Sequence, residues 1–111
     1  LGFGQLTGKY INKTEENTRL GLYGDWFTRY SNENCLNAVK EYSKIANKYN
    51  ISLTHLALAF VNTRPFVASN IIGATTMKQL KENIASIDID LSKEMLEEIN
   101  EVHLNQPNPA P

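Results

Sequence analysis

Residues 67–83 combine a short apolar run, a turn and the beginning of an amphipathic helix. The run covers residues 67–72, is followed by Gly73, Thr75 and Thr76, and passes directly into a helical pattern. This order predicts a strand, a tight turn and a helix N-terminus. The free backbone N–H groups and the positive dipole end of such a terminus suit a phosphate. The sequence therefore predicts an anion-binding turn between a strand and a helix.

Three polar side chains follow just inside this helix. Gln79, Glu82 and Asn83 stand at i, i+3 and i+4, so they project from one face and could grip a polar ring beside the phosphate. A second interpretation is local, because Thr76 and Gln79 have the spacing of a capping box, in which each side chain satisfies a backbone donor of the other. The two interpretations are compatible.

Composition excludes several classes of function. The chain has 111 residues, 41% of them hydrophobic and 21% charged, which is ordinary for a globular domain or a piece of one. A net charge of −1 provides no electrostatic footprint for nucleic acid or for an anionic membrane. No run has the length of a membrane span, and no signal segment opens the chain. The single cysteine, Cys35, favours a reducing compartment such as the cytoplasm and is expected to be a buried packing residue.

Helical periodicity dominates the chain after residue 31. Four helices are expected: one capped by Ser31, one capped by Ser52 and stopped before Pro65, one from about Thr76 to Ser86, and one beginning at Ser92. Residues 1–31 show no clean period and are interpreted mostly as loop, with the aromatic-rich residues 20–30 as either a binding lid or a segment packed on a neighbour. Residues 104–111 contain three prolines and are expected to form an extended arm, which we call the C-terminal arm.

This inventory is unbalanced for a self-sufficient α/β domain. One strand cannot form a sheet, so either the chain is mostly a helical bundle or its sheet partners lie on a preceding portion. The first residue is Leu1 rather than Met, and residues 1–4 resemble the middle of a longer sequence. We therefore expect the chain to have been cut from a longer protein.

Two separated motifs carry a resemblance to a known family. Leu-Gly-Phe-Gly-Gln-Leu-Thr-Gly-Lys-Tyr at residues 1–10 resembles the loop after the seventh strand of aldo-keto reductases, Ser-Pro-Leu-x-x-Gly-x-Leu-Thr-Gly-Lys-Tyr. Gly-Ala-Thr-Thr at residues 73–76, with the three polar residues of the following helix, resembles the family's second cofactor signature. Between them, residues 52–60 are similar to Thr-x-x-Gln-x-Ala-Leu-x-Trp, with His55 for Gln and Phe60 for Trp. The resemblance covers residues 1 to about 102 and is strongest to the Tas-like and potassium-channel-β-subunit-like branch.

The resemblance implies a fold and a cofactor. Such a protein is a (β/α)₈ TIM barrel of roughly 250 residues or more, of which this chain would supply the C-terminal portion, residues 1–103, followed by the C-terminal arm. The barrel would reduce aldehydes or ketones with NADPH. The resemblance also implies a role for each matching residue. The backbone of Leu1 and Phe3 would follow the pyrophosphate of the cofactor, and Lys9 and Arg19 would contact its phosphates. Gly73 and Thr75 would hold the 2′-phosphate, while Gln79, Glu82 and Asn83 would bind the adenine and its ribose. Lys9 and Arg19 could instead be solvated, and Gly73 could serve only the turn.

The resemblance also implies what this chain lacks. The family's reaction requires an Asp, a Tyr, a Lys and a His on earlier strands, and none of these positions lies in the segment present. No catalytic residue is assigned, and the chain alone is expected to be inactive. His55 and His103 are expected to be a surface residue and a helix-dipole partner, respectively.

The alternative to a reductase is a non-catalytic nucleotide-binding or interaction module, similar to channel β subunits, or a self-associating helical fragment. The expected partners are a small carbonyl substrate and further copies of the chain.

Overall fold

The computed structural model describes residues 1–12, 18–23, 26 and 28–111. Five α-helices follow one another in this part of the chain: α1 (Arg19–Tyr23), α2 (Glu33–Lys48), α3 (Leu53–Asn62), α4 (Met77–Ala85) and α5 (Lys93–Asn105). Short 3₁₀ segments occupy Gly2–Thr7, Thr28–Tyr30 and Ser86–Asp88. No helix among the described residues is long and apolar enough to cross a membrane.

A shared apolar core joins α2, α3 and α5. Its most buried members are Cys35, Val39, Ile45, Ala46, Leu53, Leu56, Met95 and Ile99. On α2 the partly buried Tyr42 completes a series of three- or four-residue steps from Cys35 through Val39 to Ala46, as the helical period predicts. Leu56 is 2% exposed, and complete burial of such a side chain contributes roughly 1.5–3 kcal/mol. Burial raises the pKa of the Cys35 thiol, which suits the expected packing role.

Side-chain caps fix where the longer helices begin. Ser52, Thr76 and Ser92 each accept a hydrogen bond from the backbone N–H three residues later, so these predicted caps are confirmed. The predicted cap Ser31 is wrong by one residue. Asn32 caps α2 by accepting from the Cys35 N–H, at 3.0 Å, while the Ser31 hydroxyl donates to the Thr28 carbonyl.

The predicted strand at residues 67–72 is not present. These residues are irregular, and no strand occurs anywhere in the described part of the chain. A strand exists only when a neighbour pairs with its N–H and C=O groups, and the described residues offer none. Ile71, within the run, is 95% exposed, and the preceding Phe66 is 83% exposed, so this part of the chain lies on an open surface. Other residues of the run line a groove of about 360 Å³ together with residues that include Ile84 and Ile87.

The predicted loop at residues 1–31 is also corrected in part. It contains α1 and two of the 3₁₀ segments, because local backbone hydrogen bonds such as Leu22 N–H to the Thr18 carbonyl close short helical turns. Within the predicted lid, Trp26 is 86% exposed and Tyr23 is 53% exposed. Gly24, Asp25 and Phe27 of that segment lie outside the described residues.

The C-terminal arm begins later than expected and folds back onto the molecule. Helix α5 continues through Asn105. Beyond it, the Pro109 carbonyl accepts from the Asn32 side-chain amide at 3.1 Å, and the Pro111 carbonyl accepts from Arg29 Nε at 2.9 Å. The end of the arm therefore packs against the beginning of α2 and the 3₁₀ segment Thr28–Tyr30.

Candidate functional site

The N-terminal turn has an unusual backbone. Phe3 adopts φ 58° and Gly4 adopts φ 97°, which divides the 3₁₀ segment Gly2–Thr7 into two short turns. Glycine tolerates positive φ, whereas a bulky residue such as phenylalanine rarely adopts it. The Leu1 carbonyl closes the turn by accepting from the N–H groups of Gly4 and Leu6. Strained backbone of this kind often marks a functional site.

Aromatic and cationic side chains pack around Phe3. Its ring is stacked on that of Tyr30, with centroids 5.5 Å apart and an interplanar angle of 3°. The guanidinium carbon of Arg19 lies 5.1 Å from the centroid of the Phe3 ring. The Gln5 side-chain amide, 2% exposed, donates to the Tyr30 carbonyl. Residues far apart in sequence thus form one cluster, which we call the Phe3 cluster: Phe3, Gln5, Arg19 and Tyr30.

Lys9 and Tyr10 lie beside the same turn. A methyl group added at Gly4 would come within 3.1 Å of Lys9 Cε and 3.2 Å of Tyr10 Cε2, so only glycine leaves both side chains in place. Lys9 Nζ is 4.9 Å from the Tyr10 ring centroid, and Lys9 is exposed. The Tyr10 hydroxyl accepts from the Leu20 N–H at 3.3 Å. Burial raises the pKa of Tyr10, but hydrogen bonds with Thr18, the Leu20 backbone and Lys9 lower the pKa by more, and the net pKa is below its ordinary value.

The second group of predicted residues surrounds the N-terminus of α4. The Thr76 hydroxyl accepts from the Gln79 N–H at 3.2 Å, which confirms one half of the capping box. The other half would need Gln79 Oε1 to accept from the Thr76 N–H. Gln79 Oε1 instead accepts from the Thr75 N–H at 2.9 Å and from the Thr75 hydroxyl at 3.0 Å. An added methyl group at Gly73 would meet no atom within 4 Å, so the turn is open to a ligand.

Glu82 and Asn83 use their side chains to hold neighbouring elements. Glu82 Oε1 accepts from the Ser52 hydroxyl at 2.8 Å, and the Glu82 carbonyl lies 2.9 Å from His55 Nε2. Because a carbonyl only accepts, this ring nitrogen carries the proton. His55 is half-buried by this contact and is not the free surface residue expected. Asn83, 5% exposed, donates from Nδ2 to the Gly73 carbonyl at 3.2 Å and so fixes the turn.

The beginning of α3 joins the two groups. Ser52 binds Glu82, while the next residue, Leu53, lies against Gly8, where an added methyl group would be 3.8 Å from Leu53 Cδ2. Gly8 itself has φ 77° and ends the first turn. The structure thereby places the two motifs, separated by more than 60 residues in the sequence, on either side of one helix N-terminus.

The sequence reasoning missed several residues of this site. Tyr30 and Gln5 are not among the predicted residues, because their contacts with the N-terminal turn join distant parts of the chain. Gln5 Oε1 is buried and accepts no hydrogen bond among the described residues. Tyr10 belonged to the recognised motif but carried no assigned function. His103 is exposed in the last turn of α5, where a cation complements the helix dipole.

Comparison with known proteins identifies the family. The family model described as "Aldo/keto reductase family" matches residues 1–104. The chain belongs to the aldo/keto reductase family. This family has the (β/α)₈ barrel fold, and a helical chain with no strand in its described residues is consistent with a part of such a barrel.

Several curated relatives extend this finding. Protein tas of Escherichia coli K12 is 47% identical over the whole chain, which covers 32% of that protein. The aldo-keto reductase of Babesia bovis is 38% identical over 93% of the chain and 38% of its own length. A putative voltage-gated potassium channel subunit beta of Schizosaccharomyces pombe is 35% identical over 92% of the chain and 31% of its own length. The chain therefore spans about a third of the length of these relatives.

The chemistry of this candidate site suits a phosphorylated ligand. Lys9 and Arg19 are exposed cations beside one turn, and the N-terminus of α4 presents backbone donors beside the open Gly73 turn. The described residues contain no cluster of His, Cys, Asp or Glu able to hold a metal ion.

Proposed function

We propose that this chain forms the cofactor-binding portion of an NADPH-dependent aldo/keto reductase that reduces aldehydes or ketones. The observation that carries the proposal is the family match over residues 1–104, which includes both cofactor motifs. NADPH, when bound, supplies the hydride; the residues of this chain bind and orient it. In this proposal the residues through Asn105 form the end of the barrel in the cytoplasm, and residues 106–111 form the C-terminal arm.

The phosphate end of the cofactor would lie at the N-terminal turn. The backbone of Leu1 and Phe3 would follow the pyrophosphate, with the ammonium of Lys9 and the guanidinium of Arg19 neutralising its charge. Both cations are exposed, so neither needs to break a buried ion pair before binding. Charge-assisted hydrogen bonds from these groups to phosphate are about twice as strong as neutral ones.

The adenosine end would lie at the second group. Gly73 and Thr75 would take the 2′-phosphate, since the turn is open and the positive end of the α4 dipole lies next to it. Gln79, Glu82 and Asn83 would bind the adenine and its ribose. The bond from Asn83 to the Gly73 carbonyl supports this assignment, because it gives the turn a fixed shape before the cofactor binds. The Thr75 N–H and hydroxyl, which donate to Gln79 Oε1 in the free chain, would donate to the phosphate instead.

No residue of this chain is proposed to be catalytic. The general acid and its partners would lie on the remaining strands of the barrel, together with the nicotinamide and carbonyl pockets. The chain alone is therefore expected to show no NADPH oxidation with a reactive aldehyde such as a nitrobenzaldehyde. Oxidation above a buffer control would contradict this division of labour.

Nucleotide sensing is a second candidate function, because one relative is described as a putative voltage-gated potassium channel subunit beta. In that case the same site would bind the nucleotide as a sensor, without turnover. Both proposals predict cofactor binding, and only the reductase predicts NADPH oxidation by the complete barrel with a carbonyl substrate.

Substitutions in α4 test the proposed cofactor site. In the complete barrel, Gln79→Ala and Asn83→Ala should each weaken NADPH and NADH by a similar factor, because the adenine is common to both. Thr75→Val should weaken NADPH more than NADH, since only NADPH has the 2′-phosphate. The measurement is the dissociation constant from cofactor fluorescence, with Lys78→Ala as an exposed control on the same helix. Unchanged affinity for both cofactors in Gln79→Ala and Asn83→Ala would leave these side chains only their local bonds to Thr75 and Gly73.

We also propose that the isolated chain self-associates. The groove beside residues 67–72 is lined by Ile72, Ile84 and Ile87, the last of them 69% exposed. Exposed apolar surface of this kind recruits partners, and the backbone of residues 67–72 can pair with another copy.

A further inference from the structure

We propose that Tyr30 is a positioning residue for cofactor binding, which holds Arg19 in place through the ring of Phe3. The inference rests on the proposed function, because it assumes that Arg19 contacts a phosphate of NADP. Neither cofactor motif includes Tyr30, which lies in the 3₁₀ segment Thr28–Tyr30 and is distant from both motifs along the sequence.

Arg19 makes its described contact with an aromatic ring rather than with a carboxylate. Its guanidinium carbon lies 5.1 Å from the Phe3 ring centroid, and no salt bridge of Arg19 occurs among the described residues. An arginine on an aromatic face keeps its charge, and the N–H donors on its edge are free to bind a phosphate. A ring contact therefore restricts where the cation sits without neutralising it.

Phe3 can hold Arg19 only if its own ring is held. Its backbone has φ 58°, an uncommon conformation for a bulky residue, and such a conformation persists only where surrounding contacts enforce it. The parallel stack with Tyr30, at 5.5 Å and 3°, is a contact that restrains the ring plane. Tyr30 therefore determines the surface on which Arg19 rests.

Tyr30 is in turn fixed at its backbone. The buried amide of Gln5 donates to the Tyr30 carbonyl, so the main chain at residue 30 is tied to the turn that contains Phe3. The backbone beside Arg19 is fixed as well, because the N–H of the next residue, Leu20, donates to the buried Tyr10 hydroxyl. Both partners of the Arg19–Phe3 contact are thus anchored independently.

The test is a double-mutant cycle on NADP⁺ binding by the complete barrel, followed by intrinsic fluorescence quenching or calorimetry. Arg19→Ala should weaken NADP⁺ about tenfold, the effect of a lost charged hydrogen bond. Tyr30→Leu should weaken NADP⁺ about two- to fivefold, which corresponds to an exposed cation–π contact. In the Arg19→Ala background the same Tyr30→Leu change should have an effect of less than twofold, because it acts through the arginine.

Three further variants separate positioning from a general structural role. Tyr30→Phe keeps the ring and should bind within twofold of the wild type. Phe3→Leu should reproduce the loss seen in Tyr30→Leu, which keeps the proposal testable if the latter folds poorly. Arg29→Ala removes another arginine, located 5.8 Å from the Tyr30 ring centroid, and should leave affinity within twofold. Melting curves of all variants confirm folding.

The salt dependence of binding gives a second readout. Each phosphate contact by a cation makes the affinity fall more steeply with salt. Arg19→Ala and Tyr30→Leu should both flatten this dependence, and Tyr30→Phe should not. If Tyr30→Leu reduced NADP⁺ affinity equally in the wild-type and Arg19→Ala backgrounds, or in neither of them, the inference would be overturned while the proposed function stood. A wild-type protein that does not bind NADP⁺ would instead refute the proposed function itself.

Discussion

Asn32 offers the sharpest test of how the C-terminal arm is held. Its Oδ1 caps α2 by accepting from the Cys35 N–H at 3.0 Å. Its Nδ2 donates to the Arg29 carbonyl at 2.6 Å and to the Pro109 carbonyl at 3.1 Å. One side chain therefore starts a helix with its oxygen and binds the arm with its nitrogen, and two substitutions separate these roles.

The free energies follow from the two roles. Asn32→Ala removes the cap, at a cost of about 1 kcal/mol, and both donated bonds, for a total loss of about 2–3 kcal/mol. Asn32→Asp keeps an acceptor for the Cys35 N–H and places a negative charge at the positive helix end, which is favourable. It loses only the donated bonds, so the free energy of unfolding should fall by about 1 kcal/mol.

Denaturant unfolding of the chain at fixed protein concentration measures the stability of both variants. The backbone ¹⁵N relaxation of Ala110, which packs partly buried against the core, reports on the arm. Both variants should mobilise Ala110, and the free energy of unfolding should fall by about 2–3 kcal/mol in Asn32→Ala but by only about 1 kcal/mol in Asn32→Asp. An ordered Ala110 in Asn32→Asp would refute the proposed attachment, and equal stability losses would refute the cap.

Two further predictions concern the surface of the helices and the open groove. Lys48 and the Tyr49 hydroxyl both donate to Glu98 Oε1, at 2.6 and 2.7 Å, and these hydrogen bonds lower the pKa of Glu98. The ionised carboxylate therefore adds stability above its unfolded pKa and loses it as the pH falls through the lowered folded pKa. The urea midpoints of wild type and Glu98→Gln should differ near pH 6 and converge as the pH falls below the lowered folded pKa of Glu98; a constant difference would contradict this. The isolated chain should be oligomeric by light scattering at micromolar concentration, and Ile87→Lys, in the groove, should shift it toward monomer more than Leu104→Lys, an exposed control on α5. A compact wild-type monomer with cooperative melting would contradict the self-association proposal.

The parts of the fold that depend on local sequence were predictable. Ser52, Thr76 and Ser92 cap helices because a hydroxyl reaches the backbone N–H three residues later, which is a property of the local chain. The apolar stripe of α2 likewise follows from the helical period. Asn32 replaced Ser31 as a cap because either residue type can serve, and only the structure decides which oxygen is in position.

Interactions between distant residues were not predictable in the same way. Residues 67–72 have the composition of a strand, but pairing requires a neighbour that the described chain does not provide. The stack of Phe3 on Tyr30 and the bond from Ser52 to Glu82 join residues 27 and 30 positions apart, and no local period encodes them. The candidate site was found from motifs of a known family, whereas the residues that support it emerged only from the structure.

In the proposed function, the turn at Gly73 and the N-terminus of α4 recognise the 2′-phosphate of NADP. Calorimetric titration of the complete barrel with adenosine 2′,5′-bisphosphate and with adenosine 5′-monophosphate isolates this group, because the two ligands differ only there. We expect the bisphosphate to bind at least about tenfold more tightly at low ionic strength, equivalent to about 1.4 kcal/mol, and Thr75→Val to reduce this ratio. Equal affinities for the two ligands would show that this turn does not recognise the 2′-phosphate.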